Sequence, residues 1–429
     1  MNAKAYTSAT QRSRSQAHDD EQPLRIALLG YRSAPHSGGQ GIYVKYLSRS
    51  LAKLGHQVTV ISGPPYPELD DSVSLVQLPS LDLYEHGLRS VTPCQLLNRL
   101  NLIEWFSKLT GGFAEPWLFG ERFSRWYVDR EGSFDVIHDN QTLAYGILKV
   151  EEGRTPLVTT IHHPITRDYA VALAAEPKWY LRLLIHRWHG FLRMQKRVAK
   201  RLSAVVTVSQ ASAIDIAADF AVKPEAISVM PLGVDIDVFR PLSGVQREPF
   251  RLMTTASADA PLKGLPVLLK AMARLRPQFP GLMLTLIGKP KTDGETRRLI
   301  NSLGLDEAID YRHGISTEEM VACYAKATVA VVPSLYEGFG LPAIEAMACG
   351  VPLVSTNGGA LPEVVGEAGQ VVAAGDEQAL ASAIAGLLSS SEERERLAAA
   401  GRDRAINEYC WDRCAERMVA YYREVIALC

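Results

Sequence analysis

One stretch constrains this chain more than any other. The apolar run Thr328-Val-Ala-Val-Val-Pro333 leads into the loop Glu337-Gly338-Phe339-Gly340 and then into Leu341–Gly350. A short, uninterrupted apolar run closed by proline predicts a buried strand. Pro342 near the first helical position and Gly350 just past the last mark a short helix. A strand, a glycine loop and a helix start form a ready anion site. Free amides point out of the loop, and the helix dipole favours negative charge there by about 0.3–2 kcal/mol. Yet this site carries two acids, Glu337 and Glu345. Carboxylates repel phosphate but accept hydrogen bonds from hydroxyl groups. Amides for phosphate beside carboxylates for hydroxyls suit a nucleotide carrying a sugar.

The rest of the chain repeats the strand–loop–helix grammar. Leu24–Gly30 is a compact apolar run ending in glycine, and Tyr43–Leu54 carries Val44, Leu47, Leu51 and Leu54 at helical spacing. Gln57–Ser62 reads as the next strand, a βαβ opening that predicts a Rossmann-like domain. Gly38, Gly39 and Gly41 precede that helix but do not spell GxGxxG, so a dinucleotide reading is weak. Further strands are expected at 134–139, 157–161, 203–209 and 226–230, and a long helix at 177–202. Residues 84–130, rich in Leu, Trp and Phe, read as a helical insertion. A second series of strands follows at 250–255, 282–287, 308–311, 329–332 and 352–355, and the last helix spans Trp411–Leu428. With 429 residues, two core-bearing domains are the expectation.

The string EGFGLPAIEAMACGVPLV resembles the donor-site signature of the retaining GT-B glycosyltransferases of family four, and the resemblance runs through most of the chain from Leu24 onward. It implies the GT-B fold: an α/β chain of two Rossmann-like domains facing across a cleft, with a C-terminal helix crossing back. The expected bounds are a disordered tail at 1–22, an acceptor domain at 23–240, a nucleotide-sugar domain at 241–408 and the crossing helix at 409–429. It implies sugar transfer with retention from a nucleotide-diphosphate sugar to a glycan, lipid-linked or small-molecule acceptor. Other GT-B chemistry (an epimerase or a phosphorylase) stays open, as does a non-catalytic sugar-nucleotide-binding or membrane-associated subunit.

Residue by residue, Glu337 matches the family glutamate facing the transferred sugar, and Glu345 the one binding ribose hydroxyls. The backbone of Gly338, Phe339, Gly340 and Leu341 would hold sugar and phosphate, with Gly358-Gly359 and Pro362-Glu363 nearby. Lys263-Gly264 resembles the family's R-x4-K-G motif, where a cation steadies the leaving diphosphate. The arginine is missing, since Ala258 stands there with Asp259 beside it. Gly288-Lys289-Pro290 stands where the family usually has Gly-x-Gly beside the base, so the base is unreadable. Gly38 and Gly39 match a Gly-Gly loop near donor phosphate and acceptor. His162, in T-x-H-H-P after the strand 157–161, is placed by the resemblance near the reacting sugar; His163 is a weaker candidate. His138-Asp139-Asn140-Gln141, after another strand, is a further candidate for the acceptor side. The catalytic expectation is therefore His162, Lys263 and Glu337.

Charge excludes other classes. The net charge of −1 gives no argument for nucleic acid as partner. Six cysteines lack CxxC or Cys/His zinc spacing, which suits a reducing compartment. Asp235-Ile236-Asp237 is a DxD, the spacing that elsewhere holds Mg²⁺, but it falls in the interdomain stretch and reads as linker geometry. No metal and no cofactor is expected. No run of 18 apolar residues exists and the first 22 residues are polar, so a cytoplasmic location is expected. Residues 178–201 hold eight Lys/Arg and no acid, interleaved with Trp, Leu and Ile. A solvated basic face and peripheral contact with an anionic inner membrane face are both open readings of that segment.

Overall fold

The computed structural model describes residues 22–35, 39–153, 155–256, 260–288 and 294–428. The chain divides into two compact units. The first comprises the described residues of Met1–Thr207, Asp215–Ser228 and Ala415–Cys429; the second comprises Val208–Ile214 and Val229–Cys414.

The first unit holds a seven-stranded sheet in the order β3-β2-β1-β4-β5-β6-β7. Its strands are β1 (Arg25–Gly30), β2 (Gln57–Ser62), β3 (Ser74–Gln77), β4 (Val136–Asn140), β5 (Leu157–Thr160), β6 (Val205–Thr207) and β7 (Ile227–Val229). Pairings from β3 through β6 are parallel. Helices cover such a sheet on both faces, so its strands read as apolar runs; β4 and β5 are buried along their whole length. The helix Gly39–Lys53 buries Val44, Leu47 and Leu51, as its spacing predicts, while Leu54 lies beyond its end and is exposed.

Two expectations change here. The segment 84–130 is only partly an insertion. Its helix Arg99–Leu109 exposes Leu102, Phe106 and Leu109. Its helix Glu115–Tyr127 instead supplies Phe119, Phe123 and Tyr127 to the core. The expected long helix 177–202 is broken into Trp179–Trp188, a 3-10 turn His189–Phe191, and Leu192–Ala199. Gly190, poor at holding a helix, sits in the break.

The second unit holds a six-stranded sheet, β10-β9-β8-β11-β12-β13, parallel throughout. Its strands are β8 (Arg251–Thr255), β9 (Met283–Ile287), β10 (Ile309–Arg312), β11 (Val329–Val332), β12 (Leu353–Thr356) and β13 (Gln370–Val372). Their inner face closes on one cluster with Leu268, Leu269, Met272, Leu284 and Ile384. In both sheets the chain starts in the middle, winds to one edge, then returns to the other side of its first strand. The order therefore reverses between β1 and β4, and again between β8 and β11. Ligands of open α/β sheets gather beyond the carboxyl ends of strands at such reversals.

The last helix, Trp411–Leu428, has the bounds its spacing predicts. Its residues from Ala415 onward count with the first unit, and Tyr422 is fully buried against His138. No helix among the described residues is long and apolar enough to cross a membrane.

Candidate active site

At the reversal in the second unit, the loop after β8 meets the loop after β11. Gly264 makes this approach possible. It has φ +63°, and a Cβ there would stand 1.8 Å from the Pro333 carbonyl oxygen. No side chain fits, so the turn carrying Lys263 lies directly against the end of β11. Lys263 Nζ then donates to Glu337 Oε1 at 2.7 Å, and Ser334 Oγ donates to the same oxygen at 2.8 Å. Glu337 is the more buried partner, with its side chain 11% exposed against 33% for Lys263. A second close approach comes from beneath. Glu337 forms an isolated bridge with Gly359, and its carbonyl accepts from the Ala360 amide at 2.9 Å. Gly359 has φ +65°, and a Cβ there would reach the Glu337 carbonyl at 2.2 Å. The loop 337–340 is thus pinned on two sides by glycine contacts.

The helix Leu341–Ala348 starts at that loop, with Gly340 at its cap and Pro342 in its first turn. Its far end is anchored by guanidinium groups: Arg402 donates to the Ala348 carbonyl at 2.7 Å, and Arg247 to that of Gly350 at 2.6 Å. Cations at a helix C-terminus complement the dipole. Glu345 lies one turn into this helix. Burial pushes its carboxyl up to about 7, opposed by the Tyr324 hydroxyl, which donates to it at 3.3 Å. Phe339 is buried edge-on to Tyr409, 5.9 Å between ring centres. Gly288 follows β9, its amide donating to the Arg312 carbonyl. Asp235 is buried, and its carboxylate accepts from the Asp237 and Val238 amides at 3.2 and 3.4 Å, a local turn. Ala258, Asp259, Lys289 and Pro290 lie outside the described residues.

The reversal in the first unit centres on an uncharged imidazole. Asn140 ends β4, and its side-chain amide donates to the Gln40 carbonyl, in the first turn of Gly39–Lys53, at 3.2 Å. That bond turns the amide oxygen towards His162, whose Nε2 lies 2.7 Å away. An amide oxygen only accepts, so Nε2 carries the proton and Nδ1 keeps a lone pair. Burial, with His163 alongside, holds His162 down at about 3, so the ring is neutral. Tyr43 meets the ring edge-on at 4.8 Å, and the Gln141 side chain accepts from the His162 amide. Gly38 lies outside the described residues, whereas a Cβ on Gly39 would meet open space.

His138 does not line a surface as expected. It is 1% exposed. Its Nε2 bonds the Thr160 hydroxyl at 2.6 Å and its Nδ1 the Tyr422 hydroxyl at 2.5 Å. Asp139 is also enclosed, accepting from the Thr142 and Leu143 amides, and burial raises its carboxyl to about 6. The sequence reading missed Ser334, Tyr324 and Thr160 as partners of the predicted residues. Tyr324 and Thr160 come from other elements, and Ser334 three residues before Glu337 was the one legible signal.

Comparison with known proteins agrees with this architecture. The profile of the glycosyl transferases group 1 matches residues 244–404, and that of Glycosyltransferase Family 4 matches residues 37–238. An MMP alpha-(1->4)-mannosyltransferase from Mycolicibacterium hassiacum is 48% identical over 410 residues, covering 94% of this chain and 99% of the relative. D-inositol 3-phosphate glycosyltransferase 2 from Catenulispora acidiphila is 29% identical over 396 residues, 86% of this chain and 87% of the relative. The sucrose-phosphate synthase structure from Thermosynechococcus elongatus has a TM-score of 0.69 at 23% identity, covering 95% of this chain and 100% of its own. Anabaena HepE in complex with UDP and glucose has a TM-score of 0.66 at 17% identity, covering 93% and 99%. Two parallel-sheet Rossmann-like units with this likeness are the GT-B fold, and the chain belongs to the glycosyl transferases group 1, as a GT-B glycosyltransferase.

Proposed function

We propose that the chain is a retaining, metal-independent α-mannosyltransferase that moves mannose from a nucleoside-diphosphate mannose to a 4-hydroxyl of a glycan acceptor. The observation that carries the sugar and the linkage is the 48% identity, along nearly the whole of both chains, with the MMP alpha-(1->4)-mannosyltransferase. Nucleotide-sugar use is further supported by the pairing of Lys263 with Glu337 at a sheet reversal. In this reading the bond from the anomeric carbon to the diphosphate oxygen breaks, and the acceptor oxygen attacks from the same face. The leaving diphosphate takes the acceptor proton. Lys263 and the amides of Gly338, Phe339, Gly340 and Leu341 steady the charge that appears on the diphosphate. Glu337, held by Ser334, accepts from mannose hydroxyls. Glu345 accepts from the ribose, and Gly288 lies beside the base. Gly38 and Gly39 keep their expected role near phosphate, and the neutral His162 hydrogen-bonds the transferred sugar.

Action on the cytoplasmic side, in building a polysaccharide, belongs to the same proposal. Exposed Trp179, Tyr180, Leu183 and Leu184 support lipid contact as a subsidiary part of it. The test incubates the purified chain with a mannoside bearing a free 4-hydroxyl and GDP-, UDP- or ADP-mannose, chosen by thermal shift with the three nucleotides. NMR of the product should show a new α-(1→4) linkage. Release of free mannose only, or turnover driven by inorganic phosphate, would sink the reading.

A further inference from the structure

The first unit contains a cavity of about 530 Å³ whose lining residues have no part in the chemistry proposed above. Its lining includes Tyr169, His186, Arg187, His189, Arg193 and Lys196. No Asp or Glu is among the described lining residues. The sequence explains how the cations collect there. On the helix Leu192–Ala199, Met194, Gln195, Val198 and Ala199 are buried, which turns Arg193 and Lys196 outward. The break at His189–Phe191 redirects the chain, so Arg187 from the preceding helix joins them. A single straight helix would have spread these charges along a face.

Neighbouring cations on this segment are already engaged. Arg201 pairs with Glu152 at 2.7 Å, Arg197 reaches the Tyr145 hydroxyl, and Arg182 donates to the Leu173 and Glu176 carbonyls. Arg187 has only a neutral partner, the Thr110 hydroxyl at 3.0 Å, among the described residues. Arg193 and Lys196 have no carboxylate within ion-pair distance among those residues. Three like charges around one concavity raise each other's energy, and a concave low-dielectric wall focuses their field. An anion relieves both. The imidazoles are arranged for it as well. His189 Nδ1 lies 2.8 Å from the Ile185 carbonyl and so carries a proton, while His186 Nδ1 bonds the Tyr169 hydroxyl. Each ring keeps its Nε2 for another partner. Thr166, the first residue of the helix Thr166–Ala175, also lines the cavity, with its hydroxyl already donated to the Asp219 carboxylate. Guanidinium groups match phosphate oxygens in a bidentate fork, and the volume suits a small ligand.

We propose that this cavity binds a phosphate-bearing ligand, through Arg187, Arg193 and Lys196. The group can come from a soluble phosphosugar or from a phospholipid headgroup, and the test separates the two. Calorimetric titration is run with saturating nucleoside diphosphate, so that the nucleotide-sugar site is already filled. A hexose 6-phosphate should bind at least tenfold more tightly than the free hexose, and inorganic phosphate should compete with it. Arg193→Gln/Lys196→Gln should weaken the phosphosugar at least tenfold, with nucleotide affinity unchanged within twofold. Both residues are exposed, so an unchanged melting temperature checks the fold. In the lipid arm, phosphatidylglycerol and neutral vesicles are compared by co-sedimentation at low and high salt. Salt-sensitive binding to the anionic vesicles alone, lost in the double variant while soluble phosphates fail to bind, would assign the phosphate to a headgroup. Equal binding of phosphorylated and free hexose with no preference for anionic vesicles, or wild-type behaviour of the double variant in both arms, overturns the proposal.

Discussion

The two sheet reversals share a topology and differ in electrical character. Between β8 and β11 the chain places a charged pair, Lys263 with Glu337. Between β1 and β4 it places uncharged imidazoles, those of His162 and His138, both held down at about 3. The same backbone plan thus builds a centre able to meet a diphosphate and a centre able to hydrogen-bond without charge. Burial alone does not explain the difference. Glu337 is also enclosed, but a lysine and a serine converge on one of its oxygens. No carboxylate contacts either histidine among the described residues, so nothing offsets their desolvation.

The sharpest way to break the comparison is Lys263→Ala. Removing one charge-stabilising group costs on the order of 10²–10³ in rate. Turnover should fall by that much while donor affinity falls less. A variant within about threefold of wild type would mean the charged reversal is not catalytic.

Glu345→Ala comes next. A hydrogen bond to a charged group is worth about 1.5–3 kcal/mol, roughly a ten- to hundredfold loss of nucleoside-diphosphate affinity by calorimetry. Glu345→Gln separates binding from stability. The folded carboxyl titrates near 7, above its ordinary 4.5, so the native state holds the proton more tightly. Stability from this group is full below about pH 4.5 and is lost as pH rises through 7. The glutamine variant should therefore melt higher than wild type at pH 8, with the gap closing by pH 4.5. A gap independent of pH would remove burial as the cause.

The neutral reversal is tested by Asn140→Asp. A carboxylate 2.7 Å from His162 Nε2 favours the imidazolium and raises the histidine from about 3. The wild-type pH–rate profile should lack a histidine inflection between pH 5 and 8, and the variant should gain one. Loss of rate by severalfold with the profile unmoved would reduce Asn140 to packing.

Chelation should have the smallest effect. The Asp235 carboxylate is occupied by two backbone amides, and activity should survive EDTA. Loss restored by Mg²⁺ would return the DxD to the candidates.

Much of the fold was legible because parallel strands are buried on both faces. β1, β11 and β12 are apolar runs, and glycine or proline closes each helix boundary near the donor loop. β3 (SLVQ) and β13 (QVV) were not seen. Each is short, sits at a sheet edge and is partly or largely exposed, so its sequence carries little apolar signal. The break at Gly190 was missed because Leu, Ile and Trp continue at helical spacing across it. At the site, Glu337, Lys263 and His162 were readable as residues but not as partnerships. Lys263 and Glu337 lie 74 positions apart. Only the strand order brings them together, and a single sequence does not state strand order. His138 was misjudged because its lid, Tyr422, is 284 positions away.

That last contact bears on how the chain is made. The core of the first unit includes side chains from the helix Trp411–Leu428. Its sheet can form as residues 25–229 leave the ribosome, yet His138 lacks its Tyr422 partner until that residue has been synthesised. At about 5–20 residues per second the intervening segment takes roughly 10–40 s. During that interval the nascent first unit carries an open seam over a buried histidine, and the second unit can complete its own sheet first. The protein's opening half is thus the last to close.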